Sequence, residues 1–478
     1  MKKIKYSLYI LGIVGISFGL SSCSDDLLDQ NPSYEIPLSE TSIDTEAKML
    51  AVLNGMYSEL GNASAFGSRI PIIGEVLSDN VYVSNQNDGR FVAFNQASVT
   101  TSNADISEIY NGLYDVVALA NAIINSKVEE TSNVKAYKAQ AHIARGFAFF
   151  TLTNFFSASP ASGVNQDFGI PMYTGPYNPN ENYGRSTLAE NYTQIIEDLK
   201  AGIVDENNTV SNKGYLSSTA AKLLLAKVYL TQGDNTNAIL YADRAVSEAP
   251  ASFQLIGKSG YVNYFSSNSS GENHNQPETV WEINMSEENN PLVNYAIGNF
   301  YDPTGSKRSL VVRRWIYDSL EDSDIRKELM TPDEIHAVDN PLGVFSLKQP
   351  LKIDEVSFVN NVKVLRLTEA KFIKWEAMAK SGQGSTALTE LNTFATERGG
   401  ATYTGDALTA ILSEKQKEFI TEGQRFFDLK RNNLTIERQT NCMGTCSITP
   451  DNPIYVFPIP SDVINNNTLM KQYPGWGN

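Results

Sequence analysis

The sequence predicts a mainly α fold: helical hairpins joined to a large irregular loop region, with few short strands. Three observations carry this. Residues 104–126 and 134–156 place apolar side chains at helical spacing. Residues 219–252 alternate small and bulky residues around a Gly-Asp turn, as two close-packed helices require. Residues 251–360 are rich in Asn, Ser, Gly and Pro and show no sustained period, which marks loops tethered to a scaffold.

From the N-terminus, MKKIK followed by SLYILGIVGISFGL has the basic head and short apolar run of a secretory signal, too short for a comfortable membrane span. The run ends at Cys23, beyond which Ser24-Asp25-Asp26 begins an acidic stretch. In ADISEIYNGLYDVVALANAIINS, Ile106, Ile109, Tyr110, Leu113, Val116, Val117, Ala120, Ile123 and Ile124 form one broad apolar stripe. VKAYKAQAHIARGFAFFTLTNFF pairs small residues with aromatic ones, so the two segments read as a helical hairpin. After a Pro/Gly/Asn-rich loop from Ala158 to Arg185, STLAENYTQIIEDLKAGI opens on Ser186 as an expected N-cap and carries a third stripe.

TAAKLLLAKVYLTQGDNTNAILYADRAVSEAPAS then falls on the tetratricopeptide pattern: Leu225, Ala226, Tyr229, Ala238, Ala242 and Ala245 sit at its packing positions, Gly233-Asp234 at the turn and Pro250 at the end. A weaker echo runs through residues 367–400, where Gly382, Gly384 and Ala387 fit. Between them, WEINM and VSFVNNVKVL read as short strands.

The formal charge is −16, from 38 basic and 54 acidic residues, and loss of the leader's three lysines would take it to about −19. That balance argues against nucleic acid and against anionic headgroups, and leaves neutral ligands open. With 41% hydrophobic and 10% aromatic residues the chain can bury a large core and keep rings for surfaces. Beyond Cys23 the only thiols are Cys442 and Cys446, which in an oxidising exterior close a small disulfide loop or stay as two free thiols; a metal or redox site has no further ligand nearby.

Catalytic constellations are lacking. His142, His274 and His336 have no partner at metal spacing, GKS at 257–259 lacks the upstream glycine of a phosphate loop, and pairs such as Glu287-Glu288 read as solvated surface in a chain with 54 acids. The expectation is a non-enzyme without cofactor or metal. Glu418, Glu422, Arg425 and Asp428 read as ion pairs along one helix and hence as scaffold. Binding by loop rings is the better reading, because sugar rings lay C–H faces on aromatics while amides, carboxylates and guanidinium groups take their hydroxyls. Tyr82, Asn85, Arg90 and Phe91 in NVYVSNQNDGRFVAFN, Tyr295, Phe300 and Tyr301 in NNPLVNYAIGNFYDP, and Trp315 beside Arg313 and Arg314 are the ligand-binding candidates. Trp281 and Trp375 are assigned to packing.

Leu20-Ser21-Ser22-Cys23 resembles the lipobox of bacterial lipoproteins, and the acids after it resemble the signal that sends Bacteroidetes lipoproteins to the outer face of the outer membrane. With SDDLLDQNP, IYNGLYDVVALANAII, AQAHIARGFAFFTLTNFF with GIPMYTG, GRSTLAENYTQIIEDLKAGI, AAKLLLAKVYLTQGD, EKQKEFITEGQRFFDLKR and VFPIPSDVINNNTLMKQYPGWGN in that order, nearly the whole chain resembles the SusD/RagB family. It departs at Ile109, where the family often has tryptophan. The resemblance implies a SusD-like fold with a signal peptide at 1–22, an N-terminal half at 23–250 carrying the tetratricopeptide-like helices, and a C-terminal half at 251–478 with the loop-rich insertion and final helices. It further implies lipidation of Cys23, anchoring without spanning, capture of an oligosaccharide or polysaccharide at the cell surface, and delivery to a SusC-like TonB-dependent transporter. The alternatives are a peptide-capturing member of the same family and a surface scaffold whose repeats hold only proteins.

Overall fold

A computed structural model describes residues 42–477 apart from 177, 179, 209–211, 267–275, 337–342 and 354–355. Cys23, the leader and His274 lie outside the described residues. Leu38–Asn478 form one compact unit. The chain runs through α1 (Glu46–Gly61), α2 (Arg69–Val76), β1 (Val81–Val83), α3 (Val92–Asn95), α4 (Ala104–Asn125), α5 (Ser132–Phe156), α6 (Leu188–Ala201), α7 (Ser218–Gln232), α8 (Asn235–Ser247) and α9 (Lys258–Ser266). The middle holds β2 (Thr279–Ile283), α10 (Leu292–Tyr295), α11 (Ile297–Tyr301), β3 (Leu310–Val312), α12 (Arg314–Asp318), β4 (Met330–Pro332), β5 (Val344–Ser346), β6 (Lys352–Ile353), β7 (Val356–Ser357) and β8 (Val362–Arg366). It closes with α13 (Thr368–Lys380), α14 (Gly384–Arg398), α15 (Ala407–Glu418), α16 (Arg425–Arg431), β9 (Ile436–Glu437), β10 (Ser447–Ile448) and α17 (Ser461–Asn466). Helices dominate and the strands are short, as the sequence predicts.

α4 and α5 form the expected hairpin, with Asn103 and Thr131 capping their N-termini through side-chain acceptors. α6 begins one residue later than predicted. Thr187, not Ser186, is its N-cap: its hydroxyl accepts from the Glu190 N–H at 3.2 Å while the Glu190 carboxylate accepts from the Thr187 N–H at 2.8 Å, a reciprocal capping box. The Ser186 N–H is spent on Ile170 O instead. In the α7–α8 hairpin, Gly233 takes φ +85° at the turn and Asp234 caps α8. Buried Ala226, Ala238, Ala242 and Ala245 let the helices close, and Tyr229 stacks on Tyr241 at 5.5 Å. The weaker echo is real too: α13 and α14 turn at Gly382 (φ +81°) and share a core of Phe372, Trp375, Leu391 and Phe394 with Ile411 of α15.

β2 and β8, the two strands read from the sequence, pair antiparallel with each other. Trp281 on β2 is wholly buried against Phe66 and Phe147, its indole N–H donating to Gly214 O at 3.0 Å. A separate four-stranded sheet has the order β1-β3-β5-β4.

The segment 414–431 is not one helix. Thr421 and Gly423 take φ +64° and +79° between α15 and α16, so the charges read as neighbours on a helix separate and bury in different directions. Glu418 sits among Arg326, Arg366 and Arg398, Asp428 binds Lys415 and Arg431 at 2.7 and 2.8 Å, and Arg425 clasps Asp79 across 346 residues of sequence. These acids and arginines hold the fold together. Gly74 of α2 packs so closely on this turn that an added Cβ would lie 2.2 Å from Gly423 O. No helix among the described residues is long and apolar enough to cross a membrane.

Candidate functional site

Two loops meet at one end of the β1–β3 pair. Val83 opposes Leu310, and Ser84 N–H donates to Ser309 O at 2.9 Å, so residues 85–91 and 302–309 leave the sheet side by side. The first loop is folded by its own polar side chains: the Asn87 amide accepts from Gly89 N–H at 2.8 Å and donates to Ser84 O at 2.6 Å, while Gly89 takes φ +90°. Asp88 ties the loops, receiving Lys307 Nζ at 2.7 Å and the Arg90 guanidinium. Partial burial works against its charge, but the Lys307 and Arg90 donors prevail and hold its carboxyl below the usual range.

Tyr295, half-buried at the end of α10, completes the cluster. Its ring lies 4.3 Å from the Arg69 guanidinium and 5.2 Å from that of Arg90. Arg69 is fixed from behind by Asp105 and Glu108, both at 2.7 Å. Asn299, which is buried, sets the spacing: its amide donates to Val293 O at 2.5 Å and accepts from Ser306 N–H at 2.7 Å, and its carbonyl receives Arg308 N–H at 2.9 Å. One side chain thus positions both the Tyr295 helix and the Lys307 loop. Gly89 aside, Phe91, Leu292 and Arg308 also have positive φ, at 60°, 54° and 32°, a concentration of backbone strain of the kind found where loops are held for binding.

The structure therefore brings Arg90 together with Tyr295, leaves Asn85 exposed at the start of the same loop as Arg90, and adds Arg69, Asp88, Lys307 and Asn299, which no local pattern singles out. Four predicted ligand rings are corrected. Tyr82 is buried between the sheet and Arg313, packing on Val311 and Phe345. Phe91 and Phe300 meet edge to face at 5.5 Å inside the protein, and Tyr301 is buried beside them. Their faces are covered, so they support the loops and have none left for a ligand. Trp315 is half-buried on α12, beyond the opposite end of the β1–β3 pair, where Val81 opposes Val312; three strand residues, roughly 10 Å, intervene. Cys442 and Cys446 are bonded, in the tip between β9 and β10. His142 and His336 are each held by one carboxylate, Asp198 at 2.8 Å and Asp333 at 2.6 Å.

Comparison with known proteins gives the same outline. Residues 26–230 match a family described as starch-binding and associating with the outer membrane, and residues 359–476 match the SusD family. SusD-like protein P2 of Formosa agariphila is 27% identical over 274 residues, 56% of this chain and 50% of that one; the chain spans about half the length of the curated relatives it matches. Among solved structures, a SusD superfamily protein from Bacteroides vulgatus superposes with a TM-score of 0.82 at 24% identity, covering 91% of this chain and all of the other. Surface glycan-binding protein A from Bacteroides fluxus gives 0.72 at 22% identity over 91% of this chain and all of its own. Two blocks of family sequence, at residues 26–230 and 359–476, on one shared fold leave a single assignment: the chain belongs to the SusD/RagB family.

Proposed function

We propose that this protein captures a glycan at the cell surface through the cluster of Asn85, Arg90 and Tyr295, and passes it unchanged to a SusC-like TonB-dependent transporter. The observation that carries the reading is Tyr295: a half-buried ring fixed by two guanidinium groups, one of them from Arg90, which also binds Asp88 of the Asp88–Lys307 pair and shares its loop with exposed Asn85. A rigid ring with amide, guanidinium and carboxylate groups at its rim matches the alternating C–H faces and hydroxyls of a sugar. Exposed Leu292 and Val293 extend the apolar surface next to it. The names of the relatives, one of them a surface glycan-binding protein, support the same ligand class.

In this reading Cys23 carries the lipid that anchors the protein to the outer membrane, facing the exterior, and Trp315 is a separate contact on the far side of the sheet. The transporter would meet the helical repeat face, where Leu240 and Val246 of α8 stay exposed. Calorimetric titration with a panel of soluble glycans tests the ligand. Saturable binding of a neutral oligosaccharide supports it; peptide binding with no glycan binding would move the protein to the peptide-capturing branch. Extraction in mild detergent followed by pull-down tests the partner, and recovery of other surface proteins without a barrel transporter would favour the scaffold reading.

A further inference from the structure

A cavity lies between α2, α5, α7, β8 and α16. It is partly open to solvent and encloses about 80 Å³, room for several waters and below the roughly 300 to 1,000 Å³ of drug-sized sites, so it suits a compact ligand whose end can extend from the mouth. Most of its wall is apolar, with Phe66, Phe147, Phe150 and Phe427 among the lining residues. Its polar members are unevenly matched. The lining acids are all spoken for: Glu422 binds Arg366 and Lys348, and Asp428 binds Lys415 and Arg431. One lining ammonium group is not. Lys430, buried, donates only to the carbonyls of Asn154 and Ser157, at 2.5 and 2.8 Å, at the C-terminal end of α5. Lys363, also buried, stands opposite Glu282 across the β2–β8 pair, with the rings of Tyr264 and Phe265 at 4.9 and 5.7 Å, so its charge is answered. Gln424, buried in the same wall, has a side-chain oxygen without a hydrogen-bond partner.

A cation at a helix C-terminus is partly accounted for by the helix dipole. Two carbonyls still leave the third N–H of Lys430 unused and its charge without a counter-ion, in a site where unpaired charge is expensive. Burial accordingly pulls the Lys430 ammonium down to about 7.

We propose that this cavity is a binding site for a compact monocarboxylic acid with an aromatic or short alkyl body, its carboxylate on Lys430 and its body among the phenylalanines. None of its lining residues belongs to the glycan cluster. The probe is 3-phenylpropionate, with 3-phenylpropanol as its neutral counterpart, titrated calorimetrically into the purified protein. The acid should saturate one site and bind at least tenfold tighter than the alcohol, since a charge-assisted hydrogen bond separates them. Lys430→Met should remove that preference, and Thr231→Trp, which fills the cavity from α7, should abolish binding of both. Absence of saturable binding to the native protein, or equal affinity for acid and alcohol, overturns the proposal whether or not either variant folds.

Discussion

Glu418 shows what single residues do in this protein. It is fully buried, and although burial raises its pKa, the charges of Arg398, Arg366 and Arg326 bring it down to about 2. Glu418→Gln leaves three buried guanidinium groups short of a counter-charge and should cost about 3–5 kcal/mol, read as a lowered denaturant midpoint. Asn299 acts on the site in a comparable way. Asn299→Ala releases both the Tyr295 helix and the Lys307 loop, so it should weaken glycan binding severalfold with about 1–3 kcal/mol of lost stability. The candidate site was only half legible in the sequence for a reason visible here. Loop rings such as Phe91 and Phe300 look alike whether they face solvent or each other, and only the tertiary contact that joins residues 91 and 300 decides it. Asn299, Lys307 and Arg69 carry no local pattern at all, because each acts on a segment remote from its own.

At the scale of elements, helices were the most readable part. The stripes of α4 and α5 and the small residues of α7 and α8 report their faces directly, and Gly233 marks the turn that its left-handed φ requires. The break between α15 and α16 was hidden because helical spacing of Glu418, Glu422, Arg425 and Asp428 persists through a turn that Thr421 and Gly423 impose. Two glycines separate packing from propensity. Gly74→Ala drives a methyl into the backbone of Gly423 and should destabilise by about 1–3 kcal/mol or more, unseating α2 from the turn before α16. Gly55, in the interior of α1, has open space around it, so Gly55→Ala should stabilise by about 0.5–1 kcal/mol. Thermal melts of the two variants side by side check both signs.

For the whole molecule, buried carboxylates of opposite habit shape stability against pH. Glu418 is depressed, so its contribution is present above the unfolded value near 4.5 and is lost as pH falls toward about 2. Glu75 is the reverse. Burial raises it to about 7 despite donors from Asn80 and Gly423, so its contribution is complete below about 4.5 and is lost as pH rises through 7. Stability should therefore fall on both sides, and Glu75→Gln should flatten the neutral limb alone in denaturant midpoints taken between pH 5 and 8. The same scale holds the functional account: a rigid helical body, with two loops and α10 held to present one ring and its polar rim to a sugar. Calorimetric titration of native protein and Tyr295→Ala with the glycan that binds tightest, with reducing ends assayed in the same cell, tests that account most directly. It predicts saturable binding to the native protein, at least tenfold weaker binding to the variant with a melting temperature lowered by no more than a few degrees, and no new reducing ends; equal affinity in the two proteins, or release of reducing ends, would contradict it.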